Sequence, residues 1–187
     1  IMSIYARYGH KDFILPLGYK GEYIKQYFHD YYMRNTDFTV DLQSGAVTPH
    51  GGLCEDWRVT MCDTGQETQK GGRLKRVARH IKGDRFMVTY GDGVADIDIN
   101  KLLAFHEQAG TIGTFTGVRM PSRFGTVRTD ADGKILSWEE KPVLDEYINC
   151  GFFVFERAFL DYLTEDEECD LEKEPLQRLA AEGQLSM

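Results

Sequence analysis

Short runs of β-branched and aromatic residues alternate with helix-like segments along the chain, and no other feature limits the possible folds as strongly. Five runs predict strands, at residues 13–17, 59–63, 86–90, 111–118 and 147–155. Helical spacing between them is clearest at Leu74, Val77, Ala78 and Ile81. Strands that alternate with helices form mainly parallel sheets that are covered on both faces. The sequence therefore predicts an α/β domain with ligands at the carboxyl ends of its strands, in the loops after Asp63, Tyr90 and Val118.

Shorter elements are predicted in the remaining segments. Residues 40–57 are rich in Gly, Ser, Thr and Pro and predict a long loop or an irregular hairpin. Asp132-Gly133 joins two strand-like runs and predicts a hairpin over residues 124–139. Helices are expected at residues 23–31, after Asp98 as N-cap, and near residues 158–163 and 172–182. Together these elements predict one domain over residues 1–187.

The composition excludes some classes of partner. The chain has 187 residues, a formal net charge of −8 and 42% hydrophobic residues. An acidic protein repels nucleic-acid backbones, so no nucleic-acid partner is expected, although a local basic cluster can still bind a small phosphate-rich molecule. No stretch approaches the roughly 20 apolar residues that a membrane span needs, so no membrane partner is expected.

The cysteines and histidines do not predict a zinc site. Cys54, Cys62, Cys150 and Cys169 form no C-x-x-C pair, and the five histidines are scattered. Cysteines that do not pair favour a reducing compartment, and we expect the protein in the cytoplasm.

Gly71-Gly72-Arg73 lies at the predicted start of a helix. Glycines let a ligand approach the backbone, and a helix start offers N–H groups to a phosphate. A plain loop that leads into a basic surface helix explains the same residues, and the local sequence favours it. Because a cation in the first helical turn opposes the helix dipole, Arg73 is expected to have another partner.

Gly91-Asp92-Gly93 follows a predicted buried strand. A carboxylate at this end of a sheet can hold Mg²⁺, which bridges phosphate oxygens. A type I′ turn that uses Asp-Gly explains the sequence equally well. Asp96-x-Asp98 also resembles a metal motif, but helix capping by Asp98 accounts for it more simply.

Glu140, Lys141 and Asn149 lie near predicted strand ends. A sugar phosphate needs hydrogen-bond acceptors for its hydroxyls and a cation for its phosphate, and these side chains supply both. A surface charge pair at a strand end is the alternative, and local sequence favours it.

Together and in this order, the motifs resemble those of the sugar-nucleotide pyrophosphorylases. They are strand-Gly91-Asp92-Gly93, Phe124-Gly125-x-Val127, Glu140-Lys141-Pro142 and Asn149-x-Gly151. Within this family, residues 18–28, 63–65, 68–76 and 90–96 resemble the glucose-1-phosphate cytidylyltransferases in particular. The resemblance covers the whole chain and implies a Rossmann-like, GT-A-like α/β fold.

The resemblance implies that CTP and α-D-glucose 1-phosphate react to form CDP-glucose and pyrophosphate. It further implies that the CDP-glucose is used in bacterial surface-polysaccharide synthesis. It implies that Asp92 binds Mg²⁺ and that Asp92 and Arg73 are catalytic. The nucleotide-binding residues that it implies are Thr68, Gly71, Gly72, Arg73 and Gly91. The sugar-phosphate residues that it implies are Gly125, Glu140, Lys141 and Asn149. A homo-oligomer is also expected.

The resemblance further implies segments that this sequence does not contain. A Gly-rich loop with an Arg, and a functional Lys, are expected before Ile1, and a second Mg²⁺-binding Asp is expected after Met187. The chain is therefore expected to be truncated at both ends. Because the missing start would supply a central strand, the bare chain is expected to fold poorly and to be inactive.

Three alternatives remain open. In the first alternative, the nucleotide is dTTP or UTP instead of CTP. In the second, the chain is a non-catalytic paralogue that binds a nucleotide sugar, and only the missing segments favour this alternative. The third is a GT-A-like glycosyltransferase, which shares the sheet and a metal-bound carboxylate. Glu140-Lys141-Pro142 and Gly71-Gly72-Arg73 argue against this third alternative.

Overall fold

The computed structural model describes residues 1–52 and 54–187; Leu53 lies in the segment for which a loop or hairpin was predicted. The α-helices are α1 (Met2–Ala6), α2 (Gly21–His29), α3 (Tyr31–Arg34), α4 (Lys70–Arg76), α5 (Ile99–Ala109) and α6 (Glu174–Ala181). The strands are β1 (Asp12–Leu17), β2 (Phe38–Val40), β3 (Val47–Pro49), β4 (Arg58–Asp63), β5 (Arg85–Thr89), β6 (Gly113–Val118), β7 (Thr126–Thr129), β8 (Ile135–Glu139), β9 (Ile148–Glu156) and β10 (Leu185–Ser186). Two 3₁₀ helices cover Ala78–His80 and Arg157–Tyr162.

The main sheet has the strand order β10-β6-β9-β5. Strand β10 pairs with β6 in parallel, whereas β9 runs antiparallel to both of its neighbours. Strands β5, β6 and β10 therefore share one direction, and the mainly parallel sheet predicted from the sequence is confirmed with β9 as its exception. The antiparallel strand places the start of β9 beside the end of β5.

Both faces of β9 are buried, which makes this strand the centre of the core. Phe153 and Phe155 lie in the larger hydrophobic cluster, with residues of α4, α6 and the second 3₁₀ helix. Phe152 and Val154 lie in a second cluster, with residues of α1 and α5. Because successive side chains of a strand point to opposite faces, one strand serves both clusters. The predicted cover of helices on both faces is confirmed.

Strands β1 and β4 form a separate two-stranded sheet in the described part of the chain. They pair in parallel, from Asp12 opposite Arg58 to Leu17 opposite Asp63. Both strands contact the main core, since Ile14 of β1 and Cys62 of β4 pack against the larger hydrophobic cluster. The carboxyl ends of β1 and β4 consequently lie next to each other.

The helix predicted at residues 74–81 starts earlier and is shorter than its apolar pattern suggests. α4 covers Lys70–Arg76, and the 3₁₀ helix Ala78–His80 continues it. Leu74, Val77 and Ile81 are buried as predicted. All three side chains face the core, although the α-helix changes to a 3₁₀ helix between Leu74 and Ile81.

The remaining predicted elements are confirmed as well. Strands β2 and β3 form a short regular hairpin from Phe38 to Pro49, which overlaps the first part of the loop or irregular hairpin expected in residues 40–57. Strands β7 and β8 form the hairpin expected around Asp132-Gly133. All four cysteines are free. In the residues that the structure describes, no helix has the length and apolar character needed to cross a membrane.

Candidate active site

A cleft opens at the carboxyl ends of β1 and β4, where the loop after Asp63 was predicted to bind a ligand. It is lined by Gly18, Tyr19, Lys20, Glu22, Tyr23, Asp63 and Gln66. The backbone of Lys20 has a φ of 56°, in the left-handed region that few residues other than glycine adopt. The lining is polar and offers cationic, anionic and aromatic side chains to a ligand.

Arg73 lies beside this cleft and holds the loop after β4. Its guanidinium donates to Thr64 Oγ1 at 2.9 Å, to Gly65 O at 2.8 Å and to Gln66 O at 3.0 Å. A Cβ at Gly18 would lie 2.3 Å from the guanidinium nitrogens, so this close approach requires glycine. The further partner expected for Arg73 is thus the loop of Thr64, Gly65 and Gln66 after β4. Because these bonds use three of the five guanidinium N–H groups, two remain for a ligand, and its catalytic role stays a prediction.

Thr68 is buried in the same loop and is held by a second arginine. Its hydroxyl oxygen accepts a hydrogen bond from Arg76 at 2.8 Å, and Arg76 also donates to Thr64 O at 2.8 Å. Arg76 further donates to Glu165 O at 2.9 and 2.7 Å. The hydroxyl hydrogen of Thr68 remains available, so the nucleotide contact proposed for Thr68 stays a prediction.

Gly71 and Gly72 are buried because α4 packs against the backbone of residues 166–169. The N–H of Gly72 donates to Cys169 O at 3.0 Å. A Cβ at Gly71 would lie 2.7 Å from Cys169 O, and a Cβ at Gly72 would lie 2.4 Å from Asp166 O. The close backbone approach that these glycines predicted is made by another part of the protein. Their contact with a nucleotide stays a prediction.

Gly91-Asp92-Gly93 follows β5 at its carboxyl end, and Asp92 is exposed. The alternative of a type I′ turn is wrong, because neither Asp92 nor Gly93 has the positive φ that this turn needs and α5 follows instead of a paired strand. The described residues contain no group of three or more His, Cys, Asp or Glu side chains that could hold a metal. A single exposed carboxylate still fits Mg²⁺, which keeps several waters and shares phosphate oxygens as ligands.

Asp98 caps α5, as the sequence predicted. Its carboxylate accepts a hydrogen bond from the backbone N–H of Lys101 at 3.1 Å. The capping explanation of Asp96-x-Asp98 is therefore confirmed for Asp98.

Tyr90 joins the Gly91-Asp92 loop to Asn149 at the start of β9. Asn149 Nδ2 donates to the Tyr90 hydroxyl at 2.8 Å, and Asn149 Oδ1 accepts from the N–H of Gly151 at 2.8 Å. Gly151 has a φ of 81°, and a Cβ there would lie 2.7 Å from the Tyr90 ring. The Asn149-x-Gly151 motif therefore fixes the Tyr90 ring against the backbone of β9.

Glu172, from the segment before α6, completes this group. The Tyr90 hydroxyl donates to Glu172 Oε1, and Lys70 Nζ lies 2.6 Å from the same oxygen. Lys70 Nζ also lies 5.2 Å from the centroid of the Tyr90 ring. Burial, together with the hydrogen bond to Glu172, raises the pKa of Tyr90 well above its ordinary value, so its hydroxyl stays protonated at neutral pH.

Gly125, Glu140 and Lys141 lie on the hairpin of β7 and β8. A Cβ at Gly125 would lie 2.9 Å from Glu140 Oε2 and 3.2 Å from the Trp138 ring, so the Glu140 carboxylate lies directly over the Gly125 backbone. Glu140 and Lys141 are exposed, and Lys141 has a φ of 48°. Backbone bonds between Ser122 and Pro142 and between Leu144 and Met120 hold the base of the hairpin.

The predicted residues thus fall into three groups. Thr68 precedes α4, and Gly71, Gly72 and Arg73 lie in its first turn; Gly91 and Asp92 directly follow Tyr90, which Asn149 contacts; and Gly125, Glu140 and Lys141 share the hairpin. The contacts of Lys70 and Glu172 connect the first two groups.

Sequence reasoning did not single out Lys70, Arg76, Tyr90 or Glu172. Tyr90 directly precedes Gly91-Asp92-Gly93, and this position is a local signal that could have been used. Glu172 had none, because 82 positions separate it from Tyr90.

The comparisons with known proteins concern the family of the chain. The family model described as "Nucleotidyl transferase" matches residues 50–187. A glucose-1-phosphate cytidylyltransferase of Salmonella typhi is 43% identical over 187 residues, which cover 99% of this chain and 72% of that protein. A UTP--glucose-1-phosphate uridylyltransferase of Synechocystis sp. is 27% identical over 98% of this chain and 47% of that protein.

A solved structure shares the fold. The crystal structure of HddC from Yersinia pseudotuberculosis, complexed with GMP-PN, matches with a TM-score of 0.62 over 95% of this chain and 69% of that chain. The identity is 19%. This likeness confirms the predicted α/β architecture.

Proposed function

The chain belongs to the nucleotidyl transferase family, and we propose that it transfers the CMP group of CTP to α-D-glucose 1-phosphate. The products are CDP-glucose and pyrophosphate, and the proposed use of CDP-glucose is bacterial surface-polysaccharide synthesis. The identity of 43% to the Salmonella typhi cytidylyltransferase supports this choice of substrates.

One structural observation carries the proposal: Lys70, which directly precedes the predicted nucleotide residues Gly71 and Gly72, and Asn149, predicted for the sugar side, lie together at the end of β5. Lys70 at the start of α4 and Asn149 at the start of β9 both contact Tyr90. Asp92 lies two residues further along the chain from Tyr90. The carboxyl end of β5 is therefore bordered by both groups of residues, as a transfer between two bound substrates requires.

The proposed step is an in-line displacement at phosphorus. A phosphate oxygen of glucose 1-phosphate attacks the α-phosphorus of CTP, a new P–O bond forms, and the bond to pyrophosphate breaks. Both reactants are anions, so the protein mainly orients them and neutralises charge. Arg73 has two N–H groups left for this purpose, and Lys141 is an exposed cation for the sugar phosphate.

Asp92 is the residue that would hold Mg²⁺. When bound, the ion neutralises charge on the phosphate oxygens that it contacts. The exposed carboxylate of Asp92, on a loop at the carboxyl end of β5, suits an ion that shares its ligands with a substrate.

The backbone of Lys141 supports a functional role on the sugar side. Its φ of 48° places a non-glycine residue in the left-handed region. Such conformations cost about 1–3 kcal/mol and occur preferentially at ligand-binding positions. We infer that this conformation holds the Lys141 side chain where a sugar phosphate binds beside Glu140.

The experiment that tests the proposal is a pyrophosphate-release assay of the full-length enzyme with glucose 1-phosphate and Mg²⁺. CTP, UTP and dTTP are compared in parallel, and CTP is expected to give the largest kcat/KM. A preference for UTP would favour the activity for which the Synechocystis relative is named, and a preference for dTTP would favour a thymidylyltransferase.

The same assay separates an enzyme from a non-catalytic paralogue. A paralogue would bind nucleotide in calorimetry and release no pyrophosphate with any of the three nucleotides. A homo-oligomer is part of the proposal, and light scattering of the purified protein measures it.

A further inference from the structure

Lys70, Tyr90, Asn149 and Glu172 form a continuous set of polar contacts, which we call the Tyr90 network. Asn149 Nδ2 donates to the Tyr90 hydroxyl at 2.8 Å, and that hydroxyl donates to Glu172 Oε1. Lys70 Nζ lies 2.6 Å from the same carboxylate oxygen. The network therefore runs from the start of α4, past the Gly91-Asp92 loop, to the start of β9.

With Glu172 ionised, the hydrogens in the network have one arrangement. A tyrosine hydroxyl has a single hydrogen, and a carboxylate can only accept, so the hydrogen of Tyr90 lies on the side of Glu172. The oxygen of Tyr90 is left to accept from Asn149 Nδ2. Because Asn149 Oδ1 accepts from the N–H of Gly151, the amide of Asn149 is fixed on both sides.

Asn149 keeps polar capacity that the protein does not use. One hydrogen of Nδ2 goes to Tyr90, so the second hydrogen remains, and the residue is exposed. The Tyr90 hydroxyl has used its hydrogen and accepts from Asn149, and Glu172 Oε2 is buried without a partner in the part of the chain that the structure describes. Asn149 can thus touch a substrate, while Tyr90 and Glu172 act behind it.

We propose that Tyr90 and Glu172 are positioning residues that orient Asn149 toward the sugar phosphate and link it to Lys70 at the start of α4. This inference rests on the proposed function and adds to it the residues that connect the two substrate sides. Neither Tyr90 nor Glu172 touches a substrate in this role. Loss of the Tyr90 hydroxyl leaves Asn149 Nδ2 without its acceptor, so the amide is held on one side only, by the N–H of Gly151.

The central variant is Tyr90→Phe, made in the full-length enzyme. It removes the hydroxyl and keeps the ring that packs on Gly151 and beneath Lys70. Asn149→Ala and the double variant Tyr90→Phe/Asn149→Ala complete a double-mutant cycle. Tyr162→Phe is the matched control, because it also removes a hydroxyl that donates to a carboxylate, that of Glu182, outside the candidate site.

The expected result is a selective change in KM. Tyr90→Phe raises the KM for glucose 1-phosphate roughly three- to tenfold, the effect of one lost hydrogen bond, and changes the KM for CTP less than about twofold. In the Asn149→Ala background, Tyr90→Phe has no further effect on that KM, since coupled residues are not additive. Tyr162→Phe leaves both KM values unchanged.

Glu172→Gln tests the other arm of the network. Glutamine keeps an oxygen that accepts from Tyr90 and loses the charge that pairs with Lys70. The KM for CTP is therefore expected to rise about two- to fivefold, with a smaller change in the KM for glucose 1-phosphate than Tyr90→Phe causes. An unchanged KM for CTP would overturn the link to α4.

Failure of the inference and failure of the proposed function give different results. If the wild-type enzyme turns over but Tyr90→Phe and Asn149→Ala are additive, or if Tyr90→Phe has no effect, the positioning role is overturned and the function stands. If the wild-type enzyme releases no pyrophosphate with any nucleotide, the proposed function fails and the inference fails with it.

Discussion

The segment that we call the α4 loop (residues 63–73, the loop after β4 together with the first turn of α4) and the β7–β8 hairpin (residues 124–141) both carry predicted site residues, but they are packed in opposite ways. In the α4 loop, Thr68, Gly71 and Gly72 are buried and packed against other parts of the protein. In the hairpin, Glu140 and Lys141 are exposed. Motifs that contain glycines and charged residues therefore lie in a tightly packed region in one case and on an exposed surface in the other.

This difference predicts how mutations in the two regions behave. A change in the α4 loop should lower stability as well as activity, because the residues predicted to face a ligand also hold the fold. A change in the hairpin alters substrate binding and leaves stability nearly unchanged. Loss of activity alone is consequently strong evidence for a ligand contact in the hairpin and weak evidence in the α4 loop.

Asp92, which belongs to neither region, carries the largest expected effect. In the proposed site, Asp92→Asn removes the charge that would hold Mg²⁺ and should lower turnover by the equivalent of several kcal/mol of transition-state stabilisation. The side chain is exposed, so the melting temperature should not change. Rates of pyrophosphate release at saturating Mg²⁺ measure the effect, and Asp96→Asn is the exposed control. Near-normal turnover of Asp92→Asn would remove Asp92 from the proposed site.

Lys141→Ala tests the hairpin. Loss of a charge-assisted bond to the sugar phosphate should weaken the binding of glucose 1-phosphate by roughly 1.5–3 kcal/mol. Steady-state kinetics should show this as a higher KM for glucose 1-phosphate, with an unchanged melting temperature. Lys134→Ala, at another exposed position of the same hairpin, should leave the KM unchanged. A rise in the KM for CTP instead would assign Lys141 to the other substrate.

Much of the fold follows from local patterns that the sequence shows directly. The apolar spacing of Leu74, Val77 and Ile81 predicts the buried face that the structure has. Asp98 as a cap and Asp132-Gly133 as a turn were equally readable, because each depends on residues next to it in the chain.

The packing of the candidate site could not be predicted in the same way. Gly71 and Gly72 meet the backbone of residues 166–169, far away in the sequence, and Glu172 reaches Tyr90 from 82 positions away. One sequence contains no signal for such contacts. The glycines were interpreted as a point where a ligand approaches the backbone, whereas the structure shows the backbone of residues 166–169 there.

Gly72→Ala tests the packing of the α4 loop. A Cβ at this position would lie 2.4 Å from Asp166 O, a backbone atom that cannot turn away as a side chain would. Overpacking of this kind costs typically 1–3 kcal/mol of unfolding free energy. Urea denaturation measures the loss, and activity should fall along with stability. A fully stable variant that loses CTP binding would show instead that Gly72 serves the ligand alone.

Gly125→Ala is the matched substitution in the hairpin, and its expected effect on stability is smaller than that of Gly72→Ala. A Cβ at Gly125 would lie 2.9 Å from Glu140 Oε2 and 3.2 Å from the Trp138 ring, both of which belong to exposed side chains. Since these side chains can move into solvent, the unfolding free energy should change by less than about 0.5 kcal/mol. The displaced Glu140 carboxylate should still raise the KM for glucose 1-phosphate. If urea denaturation gives a loss as large as that of Gly72→Ala, the hairpin is as tightly packed as the α4 loop, and the contrast between the two regions is wrong.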